Sequence, residues 1–180
     1  MRRRSVLLAI AVLAAGLLVA SLAGTAGGKK NLKADELTGY QENPDISTVA
    51  TGSFTATLDD DAQTITYELS FSGLEGTVLQ AHIHFGKRAV NGGVTVFLCG
   101  TPANPGPAGT PTCPAAPGGT VTRTVGVADI LAPGTQGIEA GNYEELVAAM
   151  RAGHTYANIH STTWPGGEIR AQINDRDSDN

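Results

Sequence analysis

The sequence lacks an excess of basic residues: 12 lysines and arginines stand against 17 aspartates and glutamates, for a net charge of −5. Because an acidic surface repels nucleic acids and anionic lipids, we expect neither as a partner. The sequence also lacks a G-x-S-x-G nucleophile elbow, a P-loop and a dinucleotide-binding fingerprint. We therefore expect no enzymatic activity. Aromatic residues make up only 5% of the chain, but its 180 residues suffice for one domain with a sizeable core.

Residues 1–26 have the composition of an export signal. Arginines at positions 2 to 4 precede an apolar run from Val6 to Ala20, and small residues follow around Ala23 and Ala26. A retained membrane anchor is the alternative, since about 20 residues span a bilayer. Cleavage would remove three arginines and no acidic residue, which changes the net charge from −5 to −8. We expect a secreted, periplasmic or cell-surface protein, with no membrane association after cleavage.

The two cysteines, Cys99 and Cys113, form an even pair in a chain predicted to reach an oxidising compartment. Residues 100–119, which begin directly after Cys99 and include Cys113, contain six of the nine prolines and five glycines. This composition predicts a long irregular loop with a disulfide at its base. Closing a loop of about 15 residues would contribute about 3 kcal/mol to stability on the loop-entropy account.

The fold class predicted from the pattern is all-β, an antiparallel sandwich or barrel of about 7–9 strands with one short helix. Apolar and polar residues alternate in residues 52–59 and 64–71, and Asp59, Asp60 and Asp61 between them indicate a hairpin turn rather than a calcium site. Further strands are expected at 34–40, 78–85, 94–98 and 120–127. Residues 27–36 are interpreted as a lead-in, 37–173 as the domain and 174–180 as an acidic tail.

One helix is predicted from about Tyr143 to Ala152. Asn142 and Glu145 have the spacing of a capping box, and Gly153 is placed to end the helix. Tyr143, Leu146, Val147 and Met150 fall on one face, which indicates packing against the sheet. A structural role is therefore expected for this helix.

The stretch Ala81 to Gly86, AHIHFG, is the most unusual part of the sequence. Side chains alternate along a strand, so His82 and His84 must lie on the same face. Two late strands are predicted, joined by the turn STTWPGG. Asn158 and His160 lie on the polar side of the first strand, and Glu168 and Arg170 lie on the polar side of the second. If the three strands share a sheet, these polar faces come together, and their apolar faces enter one core.

These residues resemble the CHRD (chordin-type) domain. The resemblance rests on AHIHFG, on YANIHSTTWPGGEIRAQI and on LTGYQENP with its downstream Gly52, and it extends from about Leu37 to Ile173. It implies an extracellular all-β domain, which is repeated in chordin and occurs singly in exported microbial proteins. The chain has a single copy and none of the cysteine-rich modules of chordin, so growth-factor antagonism is not expected. A binding or structural module with an extracytoplasmic protein or glycan as partner is expected instead.

The three histidines permit two interpretations. Neutral imidazoles from adjacent strands can bind copper or zinc, so His82, His84 and His160 form a candidate metal site. Alternatively, they hydrogen-bond to one another, to Glu168 or to backbone groups and fix the strand register. The HIHFG string also resembles the copper-binding strand of copper/zinc superoxide dismutases. The sequence has no further histidine and aspartate cluster for the zinc of those enzymes, so dismutase activity is not expected. Glu168 and Arg170 are expected to form salt bridges with neighbouring strands.

Overall fold

The structure is a computed structural model that describes residues 29–174. The predicted export signal and all of the predicted acidic tail except Asn174 lie outside these residues. Asn174 itself pairs with Lys33 through two backbone hydrogen bonds of 2.9 and 3.0 Å. The helical part of the described chain includes no segment that is long and apolar enough to cross a membrane.

The described chain forms eight strands in one sheet, in which every neighbouring pair is antiparallel. The strands are β1 (Lys30–Thr38), β2 (Thr51–Asp59), β3 (Thr64–Ser72), β4 (Val78–Phe85), β5 (Gly93–Cys99), β6 (Gly119–Val125), β7 (Thr155–Ser161) and β8 (Ile169–Ile173). Their order across the sheet is β5-β4-β7-β8-β1-β2-β3-β6, and the sheet curls into a nearly closed barrel. The predicted all-β antiparallel class is confirmed.

The β2–β3 hairpin shows how the alternating pattern builds the core. Phe54 and Leu58 on β2, and Ile65 and Leu69 on β3, are at most 1% exposed, while the hydroxyl residues between them face outward. The predicted turn lies at residues 60–63, directly after β2, and the side chain of Asp59 accepts a hydrogen bond from the Ala62 amide within it. The inner side of the barrel is therefore filled by the apolar half of each strand.

The first strand begins earlier than the sequence pattern predicts. It runs from Lys30 to Thr38, so it occupies most of the predicted lead-in and ends before Tyr40. Leu32 and Ala34 are buried, but the register with β2 shifts between Ala34 and Leu37. This bulge interrupts the two-residue alternation and hides the start of the strand in the sequence.

The barrel is incomplete between its two edge strands, β5 and β6. The chain crosses from one to the other through residues 100–118, and the predicted disulfide between Cys99 and Cys113 ties that loop to the end of β5. Tyr67 on β3 donates a hydrogen bond of 2.5 Å to the carbonyl of Leu98 on β5. Both features hold β5 close to the far side of the barrel, where it has no ladder partner.

The helix α1 (Tyr143–Arg151) is found where the sequence predicts it. The Asn142 side chain accepts a hydrogen bond from the Glu145 amide, and the four apolar residues of the predicted face are buried. Tyr143 and Arg151 both hydrogen-bond to Asp60, so the helix packs beside the β2–β3 turn. The Glu145 carboxylate accepts a hydrogen bond from the Glu139 amide, so it ties the first turn of the helix to the segment that precedes it.

Candidate functional site

The outer face of β4, β7 and β8 carries a row of polar side chains. His82 lies opposite Asn158, and Asn158 lies opposite Arg170 on the next strand. His84 pairs in the same way with Tyr156. The structure therefore places the two histidine-bearing strands side by side, as the sequence analysis requires.

This outer face is buried because three segments cover it, namely residues 39–46, 86–92 and 162–167. Arg170 donates to the carbonyl of Gln41 at 2.5 Å and to the side chain of Asn91 at 3.0 Å. Gln172 donates to the carbonyl of Gly86 at 2.8 Å. The polar face and its three covering segments form a second layer outside the barrel, which we call the outer layer.

The three histidines lie together within the outer layer. His82, His84 and His160 are 2%, 8% and 7% exposed. One nitrogen from each ring lies within 4.8 Å of those from the other two rings. The edge of the Phe97 ring lies against His82 at a centroid distance of 4.3 Å, and Tyr156 stacks on His84 at 4.9 Å with an interplanar angle of 6°.

Backbone carbonyls determine which nitrogen of each ring carries the proton. The Nδ1 of His84 lies 2.9 Å from the Gly92 oxygen, and the Nδ1 of His160 lies 3.0 Å from the Pro165 oxygen. A carbonyl oxygen only accepts, so both Nδ1 atoms donate and both Nε2 atoms hold a lone pair. His82 Nδ1 lies 3.2 Å from His160 Nε2 and must donate to it. His160 Nε2 therefore accepts from His82, while the Nε2 lone pairs of His82 and His84 remain available, and a metal ion on His160 Nε2 would take the place of that hydrogen bond.

Two of these lone pairs have no partner. The Nε2 atoms of His82 and His84 are buried and make no hydrogen bond within residues 29–174. A buried polar atom without a partner costs about 1–3 kcal/mol, so such atoms need an explanation in a folded protein. A ligand that accepts electron pairs would satisfy both.

Burial holds the cluster in the neutral form. Desolvation, together with the nearby His160 and His84, lowers the pKa of His82 to about 2. Desolvation also lowers the pKa of His84 to about 4, against the bond to Gly92, and lowers the pKa of His160. Neutral imidazole is the form that binds metal ions, and it is present here at neutral pH without loss of a proton.

The geometry suits a transition-metal ion. Two imidazole nitrogens bound at about 2.0–2.1 Å to a tetrahedral ion lie about 3.3 Å apart, and one nitrogen from each of the three rings lies within 4.8 Å of the other two. Metal-binding histidines also commonly donate their other ring N–H to a carbonyl or carboxylate, as His84 and His160 do here. The residues present therefore fit a metal held by three nitrogens.

Asn158 and Arg170 lie beside the histidines but bind a different group. Asn158 donates at 2.6 Å to the carboxylate of Glu42, and that carboxylate lies 3.7 Å from Arg170. Burial raises the pKa of Glu42 to about 7, although Arg170 and Asn158 both lower it. These three residues anchor segment 39–46 to the sheet.

Glu168 is placed differently from the sequence expectation. Its carboxylate accepts from the Thr48 hydroxyl at 3.0 Å and from the Glu75 amide at 2.8 Å, so it contacts neither the histidines nor Arg170. The salt bridge expected for Arg170 forms with Glu42, but Glu168 forms none among the described residues. Glu168 directly precedes β8, where the chain turns toward these neighbours.

The sequence analysis also missed residues that complete the outer layer. Tyr156 and Gln172 share the alternation of Asn158 and Arg170, and this parity could have identified them. Phe97, Glu42 and Gly92 reach the layer from β5 and from two loops, and no local pattern marks them. The exposed His154 lies outside the cluster.

These features define a class: a nearly closed antiparallel barrel with a buried three-histidine cluster on its outer face. The CHRD domain family matches residues 34–173, and the chain belongs to that family. No curated protein and no solved structure matched the chain.

Proposed function

We propose that this protein is an exported CHRD-domain module that binds a copper or zinc ion through His82, His84 and His160. Its role is binding, without catalysis. The observation that carries the proposal is the pair of buried Nε2 atoms without a partner on His82 and His84, in a cluster where one nitrogen of each histidine, His160 included, lies within 4.8 Å of the other two. An architectural cluster needs hydrogen-bond partners for these atoms, whereas a metal site needs them free.

The export part of the proposal rests on three features. The first 26 residues have the charge and hydropathy pattern of an export signal. The Cys99–Cys113 disulfide suits an oxidising compartment, and the resemblance to CHRD domains implies an extracellular setting. Fractionation of the producing cells, with mass spectrometry of the N-terminus, tests this part. An intact N-terminus found in the cytosol would contradict it.

The metal part is tested by calorimetric titration of Cu(II) and Zn(II) into the chelator-treated protein. We expect one ion per chain. The matched variants are His84→Asn and His160→Asn, because the Asn amide keeps a donor near the Nδ1 position for the Gly92 and Pro165 carbonyls and removes Nε2. Both should lose at least tenfold in affinity while remaining folded, and His154→Asn should bind as the wild type does.

The outcome that would contradict metal binding is equally specific. If neither ion binds the wild type, and His84→Asn and His160→Asn are both destabilised, the cluster serves only to hold the outer layer on the sheet. Stoichiometric binding that both variants retain would place the ion elsewhere and would also contradict the proposal.

A second candidate function is the binding of a glycan on the outer face of β1, β2, β3 and β6. A groove of 440 Å³ on β1, β2, β3 and β6 is lined by five hydroxyl side chains and two carboxylates: Thr51, Ser53, Ser70, Ser72, Thr120, Asp35 and Glu36. Such groups hydrogen-bond to sugar hydroxyls. A glycan array tests this candidate, with Ser53→Val as the groove variant. Binding that the variant retains would contradict it.

A further inference from the structure

The charges around the histidine cluster determine which metal ion the cluster would select. This inference rests on the proposed metal-binding function. Each Nδ1 is hydrogen-bonded to an uncharged group: the Gly92 carbonyl, the Pro165 carbonyl, or the ring of His160. None of the hydrogen bonds that the described residues make to these rings comes from a carboxylate. The ligands and their immediate partners therefore contribute no negative charge to offset a bound cation.

The Arg170–Glu42 ion pair of the outer layer does not supply that negative charge either, and the buried Glu168 carboxylate bonds to Thr48 and Glu75 and to none of the rings. The Arg170 guanidinium lies 4.8 Å from the centre of the Tyr156 ring, and Tyr156 stacks on His84. Its positive charge would repel a cation bound at His84. Glu42 pairs with Arg170 at 3.7 Å, so the two residues together bring no net negative charge to the cluster.

Solvent is also kept from the cluster. A zinc ion held by three histidines normally completes its tetrahedron with a water or a hydroxide. Water supplies a fourth ligand, and hydroxide supplies a fourth ligand with a negative charge. Here Phe97 lies against His82 and Tyr156 lies against His84, and the unpartnered Nε2 atoms are buried. An ion in this position has three nitrogens and no exposed coordination position.

The cost of burying an ion decides between candidates. The Born cost of transfer from water to a medium of low dielectric constant rises with the square of the charge, so a dication costs about four times as much as a monocation of similar size. Zn(II) and Cu(II) therefore lose more here than Cu(I), whose single charge is satisfied by two or three ligands, whereas Zn(II) normally takes four. We infer that the cluster is a site for monovalent copper, selecting Cu(I) over divalent copper and zinc.

The test is a pair of anaerobic competition titrations of the purified protein. Cu(I), kept reduced by ascorbate, is titrated against a chromogenic Cu(I) chelator, and Zn(II) against a chromogenic zinc chelator. We expect Cu(I) to bind at least a hundredfold more tightly than Zn(II), with one ion per chain. Cyclic voltammetry of the copper-loaded protein should show a reduction potential above that of aqueous copper, because the reduced ion is the one stabilised.

Arg170→Gln supplies an electrostatic control, with folding checked by circular dichroism. The repulsion between Arg170 and a bound ion is proportional to the charge of the ion. Removal of the Arg170 charge should therefore improve the binding free energy of Zn(II) by twice as much as that of Cu(I). We expect the ratio of the two affinities to narrow severalfold. His84→Asn should abolish tight binding of Cu(I).

The outcomes separate this inference from the proposed function. Zn(II) binding as tightly as Cu(I) would overturn Cu(I) selectivity and leave metal binding in place. Failure of every ion to bind would overturn both, as would Cu(I) binding that His84→Asn retains. Should Arg170→Gln not fold, the comparison of Cu(I) with Zn(II) on the wild type decides alone.

Discussion

At the scale of single residues, the decisive contacts are those between imidazoles and backbone carbonyls. The carbonyls of Gly92 and Pro165 each accept from an Nδ1 and so orient the rings of His84 and His160. The same contacts fix the tautomer, because a carbonyl cannot donate. Ring orientation and proton position are therefore set by covering loops that approach the sheet from outside.

The pH dependence of stability should report on this burial. The pKa of His84 is about 4 in the folded protein and about 6.5 in the unfolded chain, so between these values only the unfolded state gains the proton. Its contribution to the free energy of unfolding is present above pH 6.5 and is lost as pH falls. The loss is about 2 kcal/mol between pH 7.5 and pH 5. His84→Asn should not show it.

The measurement is urea unfolding of both metal-free proteins from pH 7.5 to pH 5. The difference in stability between the wild type and His84→Asn should shrink as pH falls. Comparing the two proteins removes the opposite contribution of Glu42, whose raised pKa makes stability decline as pH rises from about 4.5 to about 7. A variant at the exposed His154, His154→Asn, is the control. Parallel profiles for His84→Asn and the wild type would contradict the burial account.

At the scale of elements, the loop 86–92 depends on a close backbone approach at Gly92. A Cβ added to Gly92 would lie 1.7 Å from the Phe85 oxygen, so any side chain must push the loop away from β4. The loop holds His84 through the Gly92 carbonyl and Tyr156 through the Gly92 amide. Displacing the backbone here disturbs both.

Gly92→Ala should therefore weaken metal binding and lower stability. We expect a loss of about 1–3 kcal/mol in the free energy of unfolding, typical of overpacking, and at least a tenfold loss in Cu(I) affinity. Gly126→Ala is the matched control, since nothing lies within 4 Å of a Cβ at Gly126. Chemical unfolding and the Cu(I) competition titration give the two values. An unchanged affinity would show that the loop does not position His84.

The disulfide should act on stability and not on the metal site. Cys99 and Cys113 are 14 residues apart, and closing a loop of this length contributes about 3 kcal/mol on the loop-entropy account. A Cys99→Ala, Cys113→Ala double variant should lose at least that much, because both side chains are also buried. Its Cu(I) affinity should stay within about threefold of the wild type. Urea unfolding and the competition titration check this, and a large loss of affinity would link the loop to the cluster.

The same elements show what the sequence could predict. Alternation placed the strands of the β2–β3 hairpin and the two histidine strands correctly, because each has one face in the barrel core. It also placed His82, His84 and His160 on one surface. It could not predict that this surface is buried, because the cover comes from loops whose contacts are long-range: Asn158 with Glu42, Arg170 with Asn91. The start of β1 was missed because a bulge interrupts its alternation, and the neighbours of Glu168 were missed because they too are distant in sequence.

At the scale of the whole molecule, the outer layer and the barrel share strands. β4 and β7 carry the histidines outward and Ala81, Ile83, Ala157 and Ile159 inward, so each strand belongs to both layers. Opening the site by separating these strands would therefore expose the core. The three covering segments, in contrast, are held to the sheet mainly by the polar contacts of the outer face.

Binding of Cu(I) should consequently stabilise the entire barrel. An ion that binds only the folded state raises the free energy of unfolding by RT ln(1 + [L]/Kd), which is about 2.7 kcal/mol at a hundredfold excess over Kd. Amide hydrogen exchange measured by mass spectrometry, with and without Cu(I), tests this. The slowest amides of β2 and β3 lie away from the cluster, and they should slow about a hundredfold because they exchange through global unfolding. In His84→Asn the ion should leave them unchanged. Protection confined to residues 86–92 and 162–167 would instead mean that the outer layer opens while the barrel stays folded, and the ion would then stabilise only that layer.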